Sequence, residues 1–105
     1  METLNWQARA TRFAVDHNLT HSASVYALDM VSELGEVAKE LLLATDYGRQ
    51  EAQFGDRLAG ELGDVLYSLC LLATAVDVDL DAALTAALEK YTQRFQEKGH
   101  SGSGR

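Results

Sequence analysis

A short acidic motif occurs twice in this chain, as ELGEV at residues 33–37 and ELGDV at residues 61–65. Each copy places two carboxylates three residues apart, and on an α-helix such residues share one face about one turn from each other. If the two helices pack side by side, the carboxylates converge and can bind a hard divalent cation. The repeat therefore predicts a metal site made by Glu33, Glu36, Glu61 and Asp64.

A competing interpretation is that these acids only form the solvated face of amphipathic helices. The first copy fits either interpretation, because its two acids belong to a longer acidic stripe. The second copy favours a metal, since residues 65–76 contain no charged side chain and predict a buried helix. At the end of such a helix, uncompensated carboxylates cost several kcal/mol. The acidic stripe around the first copy, on the second predicted helix, consists of Asp29, Glu33, Glu36 and Glu40.

The type of ligand predicts the type of ion. The four side chains offer only oxygen, and the Glu-x-x-His pairs of di-iron bundles are missing from the sequence. Oxygen ligands suit Mg²⁺ or Mn²⁺ better than zinc. We therefore expect Mg²⁺, with Mn²⁺ as a substitute.

The elements that must position these acids are predicted to be helices, because the chain has no proline and is rich in Ala and Leu. Short links between them indicate a small four-helix bundle. Thr20 or Ser22 can cap the second helix, Asp56 the third and Asp79 the fourth. The predicted helices span about 4–16, 20–45, 56–76 and 80–98.

Length and charge limit the possible classes of protein. The 105 residues make a single domain, predicted at 1–99, and the Gly/Ser-rich residues 100–105 are expected to form a flexible tail that can order over a ligand. A net charge of −7 argues against duplex nucleic acid and anionic membranes as partners. The single cysteine, Cys70, and the lack of a leader-like segment predict a cytoplasmic protein.

Each motif also contains a glycine, Gly35 and Gly63, which costs roughly 1 kcal/mol relative to alanine inside a helix. Both lie about opposite the carboxylates of their own helix. We expect them to allow close approach of a neighbouring helix or of a second subunit. Helices two and three also look too apolar for one small bundle to cover, which predicts a homo-oligomer.

Glu-x-x-Glu followed by Glu-x-x-Asp in an apolar helix, and then a Lys and an Arg one turn apart, resembles the MazG-like all-α nucleoside triphosphate pyrophosphohydrolases. The resemblance covers roughly residues 28–99. It implies Mg²⁺ binding by the four acids, and hydrolysis of a nucleoside triphosphate between the α and β phosphates to a monophosphate and pyrophosphate. It also implies a homodimer, or a tetramer built from dimers.

The resemblance implies phosphate contacts by Lys90 and Arg94, with Lys39 or Lys98 as weaker candidates. Many relatives carry an additional acid directly before the first ligand, where this chain has Ser32. The general base is therefore open: Glu33, Glu36, or no separate base if the metal itself activates the water. Activation of the water by the metal would need no side chain as a base.

Base recognition in such a pocket needs an aromatic stack and a few polar groups. Trp6 and Phe54 are the best candidates, because they lie near a helix end and in a link instead of within a helical apolar face. His17 and His21 flank the first link and are further candidates for contact with phosphate or base.

Three functions remain open at this point. The first is a pyrophosphohydrolase that removes noncanonical or excess nucleotides from the cellular pool. The second is a phosphoribosyl-ATP pyrophosphohydrolase with the same site. The third is a non-catalytic helical pairing module whose acidic stripe receives a basic protein. Binding of Mn²⁺ and a panel of nucleotide substrates would separate the three.

Overall fold

A computed structural model describes residues 5–98 of the chain as an all-α protein. Its four helices confirm the predicted fold class, and residues 5–98 contain no strand. The predicted tail at 100–105 lies outside the described residues. In chain order the helices are α1 (Trp6–Asp16), α2 (Ala23–Ala44), α3 (Asp56–Ala75) and α4 (Leu80–Lys98).

The first two helices begin at side chains that satisfy free backbone N–H groups. Asn5 Oδ1 accepts a 2.7 Å hydrogen bond from the backbone N–H of Ala8. Ser22 Oγ accepts from the N–H of Val25 at 3.4 Å. Of the two predicted caps for α2, Ser22 is therefore the one that the structure uses.

The link between α2 and α3 turns sharply after Thr45. Asp46, Tyr47 and Gly48 are successive residues with positive φ, of which only Gly48 has no side-chain penalty. The hydroxyl of Thr45 accepts a 3.0 Å bond from the Gly48 N–H. The prediction that Asp56 caps α3 was wrong: Gly55 is the cap residue, and Asp56 begins the helix. An acid in the first turn still interacts favourably with the helix dipole.

The core lies where α3 packs against both α1 and α2. Ala14, Tyr26 and Leu71 form its centre, one from each helix. The prediction that α3 is buried throughout holds only for its C-terminal half. All four buried residues of α3 lie between positions 68 and 73, because α1 covers only that half. The N-terminal half, which carries the second acidic motif, is covered on one side by α2.

The last helix, α4, has only sparse contacts with the other three. Asp79 caps it as predicted, since its Oδ1 accepts a 3.0 Å bond from the Asp81 N–H. Four large apolar side chains on α4 are exposed at spacings of four, three and four residues, which places them on one face of the helix. They are Leu84, Leu88, Tyr91 and Phe95.

By length and composition alone, α3 is also apolar enough to cross a membrane, with a mean hydropathy of 1.4. The core helix of a soluble protein has the same properties. Here α3 is the helix on which α1 and α2 both pack.

Candidate metal site and the family of the chain

The packing of α2 on α3 brings acids from both motifs together. Glu33 of α2 and Glu61 and Asp64 of α3 each offer a carboxylate oxygen, and these oxygens lie within 4.8 Å of one another. Oxygens on opposite sides of an octahedral Mg²⁺ are about 4.2 Å apart. Small side-chain rotations are therefore enough to bring the three carboxylates onto one ion.

The electrostatics of the cluster fit a cation. The pKa of Glu33 is raised above its ordinary value, first by partial removal from water and then by the negative charges of Asp64, Glu61 and Glu36. A hydrogen bond with Glu61 raises the pKa of Glu33 further. Such repulsion is what a bound divalent cation relieves, so the donor set suits a hard metal ion.

Glu36 stands beside this cluster and not within it. Its side chain is exposed, and it is not among the three residues whose oxygens converge. Its charge is nevertheless close enough to raise the pKa of Glu33, because the two lie one turn apart on α2. Three of the four predicted ligands thus meet, and the fourth lies at the edge of the group.

The predicted phosphate contacts do not meet these acids within one chain. Lys39 and Lys90 are exposed and Arg94 is half-buried. Among the side chains that the structure describes, those of residues 5–97, the only ion pair is Arg12 with Asp16, at 4.0 Å. Lys90 instead places its Nζ 5.3 Å from the ring centre of its neighbour Tyr91. The side chain of Lys98 lies outside the described part of the structure.

The two aromatic candidates differ in position. Phe54 is 61% exposed and lies just before α3, at the end that carries the acids. Trp6 is 66% exposed, but the next residue, Gln7, bonds to Thr74. Thr74 lies about 15 Å further along α3 than Asp64. In one chain, therefore, only Phe54 is at the same end of α3 as the carboxylates.

The two histidines have structural contacts in the first link. The Nδ1 atom of His17 lies 2.8 Å from the Phe13 carbonyl oxygen, and its ring stacks on the Phe13 ring. The backbone N–H of His21 donates to the Tyr26 hydroxyl at 2.7 Å, and its ring lies edge-on to the Tyr26 ring with centroids 5.9 Å apart. These contacts account for both residues without a ligand.

Comparison with known families agrees with this arrangement. The model of the MazG nucleotide pyrophosphohydrolase domain matches residues 21–98, which include both acidic motifs and α4. Neither the search of curated proteins nor the search of solved structures found a match.

The chain belongs to the MazG nucleotide pyrophosphohydrolase family. This confirms the resemblance drawn from the motifs and indicates a hydrolase that acts on nucleotides. Family members generally use divalent metals, and the cluster of Glu33, Glu61 and Asp64 is a group that can hold one. A domain of this enzyme family also indicates a soluble protein.

Proposed function

We propose that the protein is a Mg²⁺-dependent nucleoside triphosphate pyrophosphohydrolase that removes unwanted nucleotides from the cellular pool. Water adds across the anhydride between the α and β phosphates, and the products are a nucleoside monophosphate and pyrophosphate. The observation that supports this most is the convergence of Glu33, Glu61 and Asp64 from the two repeated motifs, inside a domain of this family.

Glu33, Glu61 and Asp64 would hold the metal, and Glu36 would complete the oxygen set by a change of rotamer. A bound divalent cation at this position offsets substrate charge and lowers the pKa of water. Glu33 and Glu36 are our candidates for accepting the proton of the attacking water, because they are the two acids on the α2 side of the site.

A triphosphate needs positive charge that the acidic cluster itself lacks. Lys90 and Arg94 lie one turn apart on α4 and can hold the β and γ phosphates together. Lys39 extends from the flank of the acidic stripe on α2 and is a third candidate. Phe54, exposed at the acidic end of α3, can stack on the base, whereas Trp6 would have to come from another protomer.

The active form is proposed to be a homodimer or a dimer of dimers. The four exposed apolar residues of α4 repeat with heptad spacing, and α2 exposes Leu28 and Val31 as well. Gly35 and Gly63 have no atom within 4 Å of where a Cβ would stand. No helix of the same chain approaches either glycine closely, and we propose that a second subunit packs there.

Since α4 contacts α2 and α3 only sparsely in its own chain, we assign its cations to the carboxylate cluster of a partner protomer. Each site would then take its metal ligands from one chain and its phosphate contacts from another. In a dimer with two-fold symmetry, each protomer would supply phosphate contacts to the metal site of the other.

A nucleotide panel with product identification tests the function. Canonical and modified nucleoside triphosphates and phosphoribosyl-ATP are incubated with the protein in Mg²⁺ or in EDTA. We expect monophosphate and pyrophosphate only with Mg²⁺, loss of turnover in Asp64→Asn, and retention in Glu89→Gln, which changes an exposed acid of α4. Turnover of phosphoribosyl-ATP alone would indicate the second function considered above. No pyrophosphate from any substrate, together with no Mn²⁺ binding, would indicate a pairing module.

A further inference from the structure

The side chain of Gln7, on α1, connects three separate parts of the fold. Its Oε1 accepts a 2.8 Å hydrogen bond from the backbone N–H of Leu80, the first residue of α4. Its Nε2 donates to the carbonyl oxygen of Val78 at 2.7 Å and to Thr74 Oγ1 at 3.1 Å. The Thr74 hydroxyl in turn lies 2.8 Å from that of Thr11. One carboxamide thus joins α1, the end of α3, the following link and the start of α4.

This contact matters because the other helices of the same chain restrain α4 only weakly. In the described part of the chain, Gln7 provides the only side-chain hydrogen bond from another helix to α4. The packing of α4 on the other helices is sparse. The first N–H groups of a helix lack partners inside it, and here the N–H of Leu80 is satisfied by Gln7 and that of Asp81 by Asp79. The first turn of α4 is therefore held by Gln7 of α1 together with the short link, whose Val78 N–H bonds to the Ala73 carbonyl oxygen at 2.9 Å.

We propose that Gln7 is a positioning residue that fixes the angle at which α4 leaves the other three helices. It thereby places Lys90 and Arg94 for phosphate binding, a second step that depends on the function proposed above. Gln7 touches neither substrate nor metal. Its effect on the reaction passes entirely through α4, which carries both cations on one face.

A small angular change at Leu80 becomes a large displacement further along the helix. Lys90 and Arg94 lie about 15 and 21 Å from Leu80 along the helix axis. A rotation of 10° would move them by roughly 3 to 4 Å, more than the tolerance of a hydrogen bond. Loss of the Gln7 contacts should therefore weaken substrate binding without touching the carboxylate cluster.

The test measures the direction of α4 and catalysis separately. Cysteines replace the exposed residues Ser24 of α2 and Gln93 of α4, and both carry spin labels. Cys70 is only 1% exposed and escapes labelling. Electron paramagnetic resonance then gives the distance distribution between the labels, in full-length protein diluted with unlabelled protein. Gln7→Met removes all three hydrogen bonds at nearly constant shape, and Gln96→Met makes the same change at an exposed site of α4.

We expect Gln7→Met to broaden or shift the distance distribution, and to raise KM about fivefold with kcat changed less than about twofold. Gln96→Met should change neither quantity. An unchanged distribution in folded Gln7→Met would overturn the proposal. A changed distribution with unchanged KM would overturn the link to phosphate binding.

The proposal and the proposed function can fail separately. If the wild-type protein hydrolyses no nucleotide, the function is wrong, and the distance measurement still decides whether Gln7 sets the direction of α4. If Gln7→Met does not fold, Thr74→Val removes one hydroxyl partner of Gln7 at nearly constant volume. A smaller shift of the distance distribution in the same direction is expected there, because the Gln7 bonds to Leu80 and Val78 remain, and its absence would count against the proposal.

Discussion

The carboxylates of Glu33 and Glu61, the first acids of the two repeated motifs, have oxygens within 4.8 Å of each other across the contact between α2 and α3. Like charges at this distance repel in the absence of a cation. The effect is visible in Glu33, whose pKa is raised by partial burial and by three neighbouring carboxylates. This relationship between two helices is what the metal hypothesis requires, and it can be tested without knowing the substrate.

Metal binding is the first prediction. We expect Mn²⁺ to bind the wild-type protein in isothermal titration and to raise its melting temperature, since only the folded state brings the ligands together. Asp64→Asn should weaken Mn²⁺ binding about tenfold or more, because affinity follows the number of charged ligands. Glu97→Gln, at an exposed acid of α4, serves as the control. Equal Mn²⁺ affinity in Asp64→Asn and wild type would show that this cluster is not a metal site.

The role of Glu36 can be separated from that of the three clustered acids. If Glu36 completes the oxygen set, Glu36→Gln should weaken Mn²⁺ binding measurably, but by less than the about tenfold expected for Asp64→Asn inside the cluster. If it serves only as proton acceptor, kcat should fall by about 10²-fold or more while the Mn²⁺ affinity stays unchanged. Titration and steady-state kinetics on the same variant distinguish these outcomes. We expect weakened metal binding.

The raised pKa of Glu33 predicts how stability changes with pH in metal-free protein. The folded state holds a proton on Glu33 that the unfolded chain releases near the ordinary value of 4.5. Its contribution to the free energy of unfolding is therefore complete below that pH and is lost as pH rises through the raised pKa. In EDTA, the melting temperature of the wild type should fall with rising pH in the range just above 4.5.

Other acids of this negatively charged chain also contribute to such a fall, so the difference between variants is the informative quantity. Glu33→Gln should show a smaller fall than wild type, and Glu97→Gln should follow the wild type. Saturating Mg²⁺ should reverse the trend, because protons compete with the metal for the same oxygens. A fall of the same size in Glu33→Gln would show that Glu33 is not its source.

Much of the helical framework was predictable because its determinants are local. Ser22 and Asp79 cap the helices that follow them through bonds within three residues, and absence of proline leaves each helix uninterrupted. The Gly55 cap was missed because glycine has no side chain to make the capping bond that a sequence pattern could reveal. Spacing also predicted that the two acids of each motif share one face of α2 or of α3. Residues three apart share a face of a helix whatever packs against it.

What the sequence did not reveal depends on contacts between distant residues. Gln7 has no local pattern that distinguishes it, because its partners Thr74, Val78 and Leu80 follow some seventy residues later. The incomplete burial of α3 has a similar origin. An apolar helix can be covered by its own chain or by a second copy, and composition does not distinguish these two cases.

If α4 of one protomer supplies the cations for the metal site of the other, two inactive variants should restore activity when they are combined. Asp64→Asn disables the metal site of its own chain, and the double variant Lys90→Ala/Arg94→Ala removes the cations. Each should be nearly inactive alone. When the two are unfolded, mixed and refolded together, mixed dimers should contain one intact site, with wild-type ligands from one chain and wild-type cations from the other. Recovery of up to about a quarter of wild-type activity is expected from random pairing. No recovery in mixtures that form mixed dimers would place the cations in the same chain as the metal.

The glycine of the first motif provides a test of the interface. Gly35 lies within α2 with open space where a Cβ would stand. In a monomer, Gly35→Ala should therefore stabilise the helix by about 1 kcal/mol. If a second subunit packs closely there, Gly35→Ala should instead weaken association, and Gly35→Leu should weaken it more. Light scattering at micromolar concentration gives the mass, and thermal melts give the stability. A wild-type monomer that Gly35→Ala stabilises would contradict the homodimer.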